Sequence, residues 1–337
     1  MQNSLKQTTI TESRRSHPFL LLSLFFAVNF ILFTSSLFLG KYPLTPEALF
    51  AGEKQSVQVF LTLRLPRTCM GLLGGFSLGI AGMVYQTVFR NPLASPDIIG
   101  VASGASAGAA FAILFLPAAP ILITSSAFAG SLVAVLLALG IASLVPGKGS
   151  ASIVLAGIVV HSLAQTLLMV LKLTADPEKE LASIEYWIMG SLNGITLSKL
   201  PFVLIICTFS IFLLLLFHRQ LLLLSLADEE AQMLGTPVRL LRLTVLILAT
   251  LTVAAVISVT GLISFIGLLA PHIARLLTGN SKQHTLVLSG LMGGMLLTAA
   301  DMLARSVAQS ELPVSIFTSL LGAPFLLYLI LKREEPL

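Results

Sequence analysis

Long apolar runs, broken at short intervals by polar turns, fill the chain from Phe19 almost to its end. At about 20 apolar residues per bilayer crossing, the pattern predicts ten spans, near 19–39, 66–86, 98–116, 121–145, 152–171, 199–218, 240–259, 262–278, 285–304 and 314–331. The run at 262–278 is the weakest, because Pro271, His272 and Arg275 interrupt it. The expected fold is therefore all-α, a polytopic bundle with one transmembrane domain over 19–332 between polar tails at 1–18 and 333–337.

Composition supports this reading. Hydrophobic residues make up 56% and charged residues 10%, and mean hydropathy is +0.96; a soluble domain carries about 25% charge. Cys69 and Cys207 both lie in apolar runs, so no disulfide framework is expected. The tail's SRRSHPF lacks twin-arginine spacing and a cleavage site, so an uncleaved first span is expected. With both termini inside, the 20 Lys+Arg split 12 to the cytoplasmic segments against 8 outside, in line with the positive-inside rule. The net charge of +5 then reflects topology, since no basic face for nucleic acid is apparent. Arg64, Arg67 and Arg305 are exceptions, placed at the outer ends of spans two and nine.

Glycine repeats at spacing four, Gly71-Gly75-Gly79 and Gly100-Gly104-Gly108, predict close helix packing in lipid. The outer segment 173–198 carries Trp187 beside Tyr186, as at a membrane interface, with a short helix around 181–190.

Residues 225–242 set three acids, Asp228, Glu229 and Glu230, between apolar runs. Ser225 stands three before Asp228, as in a capping box, and the acids suit the first turn of a short helix. Ala227, Ala231 and Leu234 share a face, Gly235 suits the C-terminal cap, and Pro237 blocks continuation. The segment reads either as a handle for another protein or as a surface loop.

Catalytic chemistry is not visible, and neither a cofactor nor a metal site is expected. PGKGS at 146–150 has Ala142 and Gly149 where a phosphate loop needs Gly and Ser or Thr, so it reads as a turn. Intramembrane ionisable residues are functional candidates because they are costly in hydrocarbon. His161 lies mid-span with Gln165 one turn on, either as a hydrogen-bonded pair or lining a pore. Asp301 precedes Arg305 by four and predicts a local ion pair. The scarcity of acids at mid-depth argues against an ion-coupled secondary transporter.

Residues 63–109 (LRLPRTCMGLLGGFSLGIAGMVYQTVFRNPLASPDIIGVASGASAGA), 261–279 (GLISFIGLLAPHIARLLTG) and 300–332, with EEAQMLG, closely resemble the FecCD family of membrane permeases. The likeness covers most of the chain from Arg64 on. It departs at Ser315, where the family usually has glycine, and at NSKQH after Gly279. The resemblance implies a bundle like that of the vitamin B12 permease, in a bacterial cell membrane. The partners it implies are two ATPase subunits, an extracytoplasmic substrate-binding protein and a second permease subunit. An iron–siderophore cargo is expected, with haem or vitamin B12 as the alternative. Arg64, Arg67 and Arg305 match positions that pair with acids of the binding protein. Asp228, Glu229, Glu230, Ala231, Leu234 and Gly235 correspond to the coupling segment that docks on the ATPase. Gln86, Arg90, Asn91 and Pro92 close span two at the inner face, as a helix terminus or as a gate.

Overall fold

A computed structural model describes residues 18–144, 149–278, 284–307 and 311–333. Most of the polar tail, the larger part of PGKGS and all of NSKQH but His284 lie outside the described residues. The elements are α1 (Pro18–Phe38), α2 (Pro46–Phe50), α3 (Lys54–Val59), α4 (Leu65–Val88), α5 (Val101–Phe115), α6 (Pro120–Leu144), α7 (Ser150–Thr174), α8 (Glu180–Met189), α9 (Leu200–Leu216), α10 (His218–Leu223), α11 (Asp228–Met233), α12 (Val238–Thr260), α13 (Ile266–Thr278), α14 (Thr285–Ala304) and α15 (Val314–Arg333). Each of the ten expected spans has its helix. Among the described residues, six helical segments are long and apolar enough to cross a bilayer, and 101–115, 200–216, 266–278 and 314–328 are shorter.

Two of the short helices begin partway through the bundle. A Cβ at Gly100, just before α5, would lie 3.5 Å from the backbone nitrogen of His161, the middle of α7. Phe265, just before α13, packs against Gly322 in the middle of α15. Residues 91–100 and 261–265 complete these crossings without regular α-helix. Such backbone is tolerated at membrane depth where protein buries it, and Ala94, Ile99 and Ile263 are at most 9% exposed. Gly100 adopts φ +82° to open α5, so it is a turn residue and not a member of the predicted ridge.

Of the other ridge glycines, Gly71 makes only ordinary contacts, and the remaining four make the close crossings. A Cβ at Gly75 would fall on the carbonyl of Gly293, and one at Gly293 on that of Gly75. Gly79 meets Ser289, Gly104 meets Gly130, and Gly108 meets Ser126 in the same way. Small residues thus seat α4 on α14 and α5 on α6. Packing at this distance supplies the dispersion energy that holds helices together in lipid. Cys69 and Cys207 are free thiols.

Candidate functional site

The first polar cluster gathers at the start of α4. Arg67 donates from Nε to Asp301 at 2.9 and 3.2 Å and from Nη1 to Glu311 at 2.8 Å. Arg64 donates to the Tyr42 carbonyl at 3.1 Å. Arg305 donates to the Ser36 hydroxyl and stands 3.5 Å from Asp301, so the predicted local ion pair is present. All three arginines are at most 7% exposed. Nε and Nη1 of Arg305 nevertheless lack a hydrogen-bond partner. A cavity of about 200 Å³ lies among Lys41, Arg64, Arg67, Arg305, Asn193 and Glu311. Among the described residues, three arginines there face two acids, Glu311 and the adjoining Asp301. That excess, with Arg305 Nη1 lacking a hydrogen bond, suits an incoming carboxylate.

The second cluster sits at the other end of α4. Helix α11 begins on Ala227, correcting the expected cap: Ser225 donates instead to the Leu222 carbonyl at 2.6 Å. Half of a capping box survives, since Glu230 accepts from the Ala227 amide at 3.3 Å. At the far end Gly235 has φ +77°, and the amides of Gly235 and Thr236 bond the carbonyls of Gln232 and Ala231 at 2.8 and 3.1 Å. This double closure is the Schellman arrangement, for which glycine carries no Cβ penalty.

Of the apolar trio expected on one face, only Ala231 is buried; Leu234 is 63% exposed, as is neighbouring Met233 at 88%. Asp228 accepts from Arg242 at 2.8 and 3.0 Å and from Arg90. Partial burial opposes the Asp228 charge, but hydrogen bonds and attraction from Arg242 and Arg90 hold its carboxyl below the usual carboxylate range. Arg90, at φ +50°, also donates to the Leu224 carbonyl at 3.1 Å. The acids therefore divide: Asp228 is an internal clamp, while Glu229 and Glu230 are exposed.

The backbone itself closes the end of α4. Its last carbonyls take backbone amides, Asn91 on Gln86 at 3.1 Å and Arg90 on Thr87 at 3.2 Å, in place of side chains. The Asn91 side chain accepts from the Leu93 amide at 2.9 Å, and Pro92 follows it in the turn. Gln86 reaches α13 instead, donating to the Leu268 carbonyl at 3.2 Å and accepting from Arg275.

His161 is half-buried on α7, and its Nδ1 has no hydrogen-bond partner, so that atom makes no pair with Gln165. The short helix predicted near 181–190 is α8. Trp187 packs on the main core, and Tyr186 is 53% exposed. Ser315, the departure from family glycine, donates to the Leu262 carbonyl at 2.6 Å. Glu311 and Arg242 escaped the sequence reading. Glu311 stands beside Arg305 in the chain, but its partner Arg67 is 244 positions away.

The FecCD transport family matches over residues 28–332. The cobalamin import system permease protein BtuC of Halobacterium salinarum is 37% identical over 284 residues, covering 84% of this chain and 76% of its own. The Fe(3+)-citrate import system permease protein YfmE of Bacillus subtilis is 35% identical, covering 97% and 98%. A solved metal-chelate type ABC transporter in an inward-facing conformation superposes with a TM-score of 0.84 at 31% identity, covering 94% and 99%.

Proposed function

Because the chain belongs to the FecCD transport family and is a permease subunit of an ATP-driven importer, we propose that it carries an iron–siderophore chelate. A binding protein delivers the cargo at the arginine end of α4, and two separate ATPase subunits act at α11. The arginine end then faces the outside of a bacterial inner or plasma membrane, and both termini lie in the cytoplasm.

One observation carries this reading: a single helix joins the two polar clusters. Helix α4 starts among Arg64 and Arg67 and ends at Gln86 and Arg90, and Arg90 meets the Asp228 that fixes α11. At about 1.5 Å per residue, its 24 residues span about 36 Å. Motion of α11 driven by ATPase closure is thus passed to α4 through Arg90 and to α12 through Arg242, as switching between inward- and outward-facing states requires.

At the arginine end, Glu311 occupies the guanidinium that a partner carboxylate would take. Docking is accordingly an exchange, with the binding protein's acid replacing Glu311 on Arg67 and turning to Nη1 of Arg305, which has no hydrogen-bond partner. A second permease subunit, identical or related, completes the path. The exposed face of α7, where Leu163 and Leu167 alternate with Ser162 and Thr166, supports a path lined there, with His161 at its edge.

Arg64→Gln, which leaves the Arg67–Asp301–Arg305 pairs in place, should weaken docking of the binding protein on nanodisc-embedded permease at moderate salt, with co-purification of the ATPase retained. Unchanged docking affinity contradicts the assignment. Binding of ferric siderophores, haem and cobalamin to the isolated binding protein decides the cargo. A preference for cobalamin would replace the iron reading, as similarity to the cobalamin permease allows.

A further inference from the structure

At the α11 end of the bundle, a cavity of about 280 Å³ opens between α6, the start of α7 and the start of α12. Its apolar wall includes Leu136, Leu139, Gly140 and Ile247, and its polar side chains are Ser143, Arg239 and Arg242. Leu136 is 58% and Ile247 38% exposed, on helices long and apolar enough to cross a bilayer. That wall therefore faces acyl chains.

The two arginines differ. Arg239 is exposed. Arg242 is 3% exposed; its Nη2 is taken by Asp228, but its buried Nε has no hydrogen-bond partner. A charged donor left unpaired away from water is costly, and Arg242 is one of the residues that line the cavity. Asp228 cannot neutralise both sides, since it is shared between Arg242 and Arg90. The site thus combines an apolar groove with positive charge that the shared Asp228 does not fully offset. A free anion would leave the groove empty, and an uncharged tail would leave the arginines unpaired. A phosphate carrying an acyl chain satisfies both.

We propose that this cavity holds one anionic phospholipid, with its phosphodiester on Arg239 and Arg242 and an acyl chain along Leu136, Leu139, Gly140 and Ile247. Arg242 also holds α11 through Asp228, so the bound lipid shares the guanidinium that positions that helix.

The test is native mass spectrometry of the full-length protein, titrated with phosphatidylglycerol or phosphatidylcholine. Wild-type protein should retain one phosphatidylglycerol per chain in preference to phosphatidylcholine. Gly140→Leu should lose it: an added Cβ there meets nothing within 4 Å, so the larger side chain fills the groove and leaves the fold intact. Arg239→Gln should weaken retention about fivefold, the contribution of one basic side chain near an anionic surface. Inorganic phosphate at equal concentration should not displace the lipid. Equal retention by wild type and Gly140→Leu, equal binding of the two lipids, or displacement by inorganic phosphate would each overturn the proposal.

Discussion

Arginine–carboxylate contacts hold both ends of α4, but the two ends are built for different work. Asp301 is 1% exposed and lies between Arg67 and Arg305. Asp228, between Arg90 and Arg242, keeps a side chain 34% exposed. A buried charge whose partner is removed has no water to turn to, whereas a half-exposed one does. The first end is a fixed frame with one exchangeable acid, Glu311. The second is a clamp that water can help open, as suits a helix that must move.

The largest effect that separates the ends should come from Asp301→Ala. It leaves the buried Arg305 without its acid and Arg67 with Glu311 alone, and should cost about 3–5 kcal/mol, read as a lower thermal midpoint and reduced yield in detergent. A loss no larger than that of Asp228→Ala would erase the contrast.

Next in size is Glu311→Gln. Glu311 is 28% exposed at its side chain, so stability should fall by no more than about 1 kcal/mol. Docking of the binding protein should instead tighten, about fivefold for a competing contact of that size. Weaker docking would mean that Glu311 positions Arg67 and does not compete for it.

The smallest effect lies in pH. The folded-state pKa of Asp228 is lowered, so its contribution to stability is complete above the unfolded carboxylate value of about 3.9. It is lost as pH falls through the lower folded value. The difference in thermal midpoint between wild type and Asp228→Asn should be constant near neutrality and shrink only below about pH 4. A difference that already fades at pH 6 would contradict the clamp.

What the sequence disclosed follows from range. Ten apolar runs and spacing-four glycines are local signals, and Gly75, Gly79, Gly104 and Gly108 all sit at helix crossings. The late starts of α5 and α13 were hidden because DIIG and GLISF continue the apolar composition through irregular backbone. The i,i+4 pair Asp301–Arg305 was legible, but Arg67–Asp301 joins residues 234 positions apart, and no spacing rule reaches that far. Within α11 the acids and Gly235 were legible as helix punctuation. Ser225 was misread because residues 218–223, HRQLLL, form their own short helix, and the Ser225 hydroxyl bonds back to it at Leu222.

The central claim is that α11 transmits the ATPase stroke, and Gly235→Trp tests it most directly. Gly235 is exposed and no atom lies within 4 Å of an added Cβ, though its φ of +77° strains any side chain. In a reconstituted complex, the variant should still co-purify with the ATPase, while binding-protein-stimulated hydrolysis and cargo uptake fall together. Uptake that persists at the wild-type rate, with the ATPase bound normally, would contradict the account.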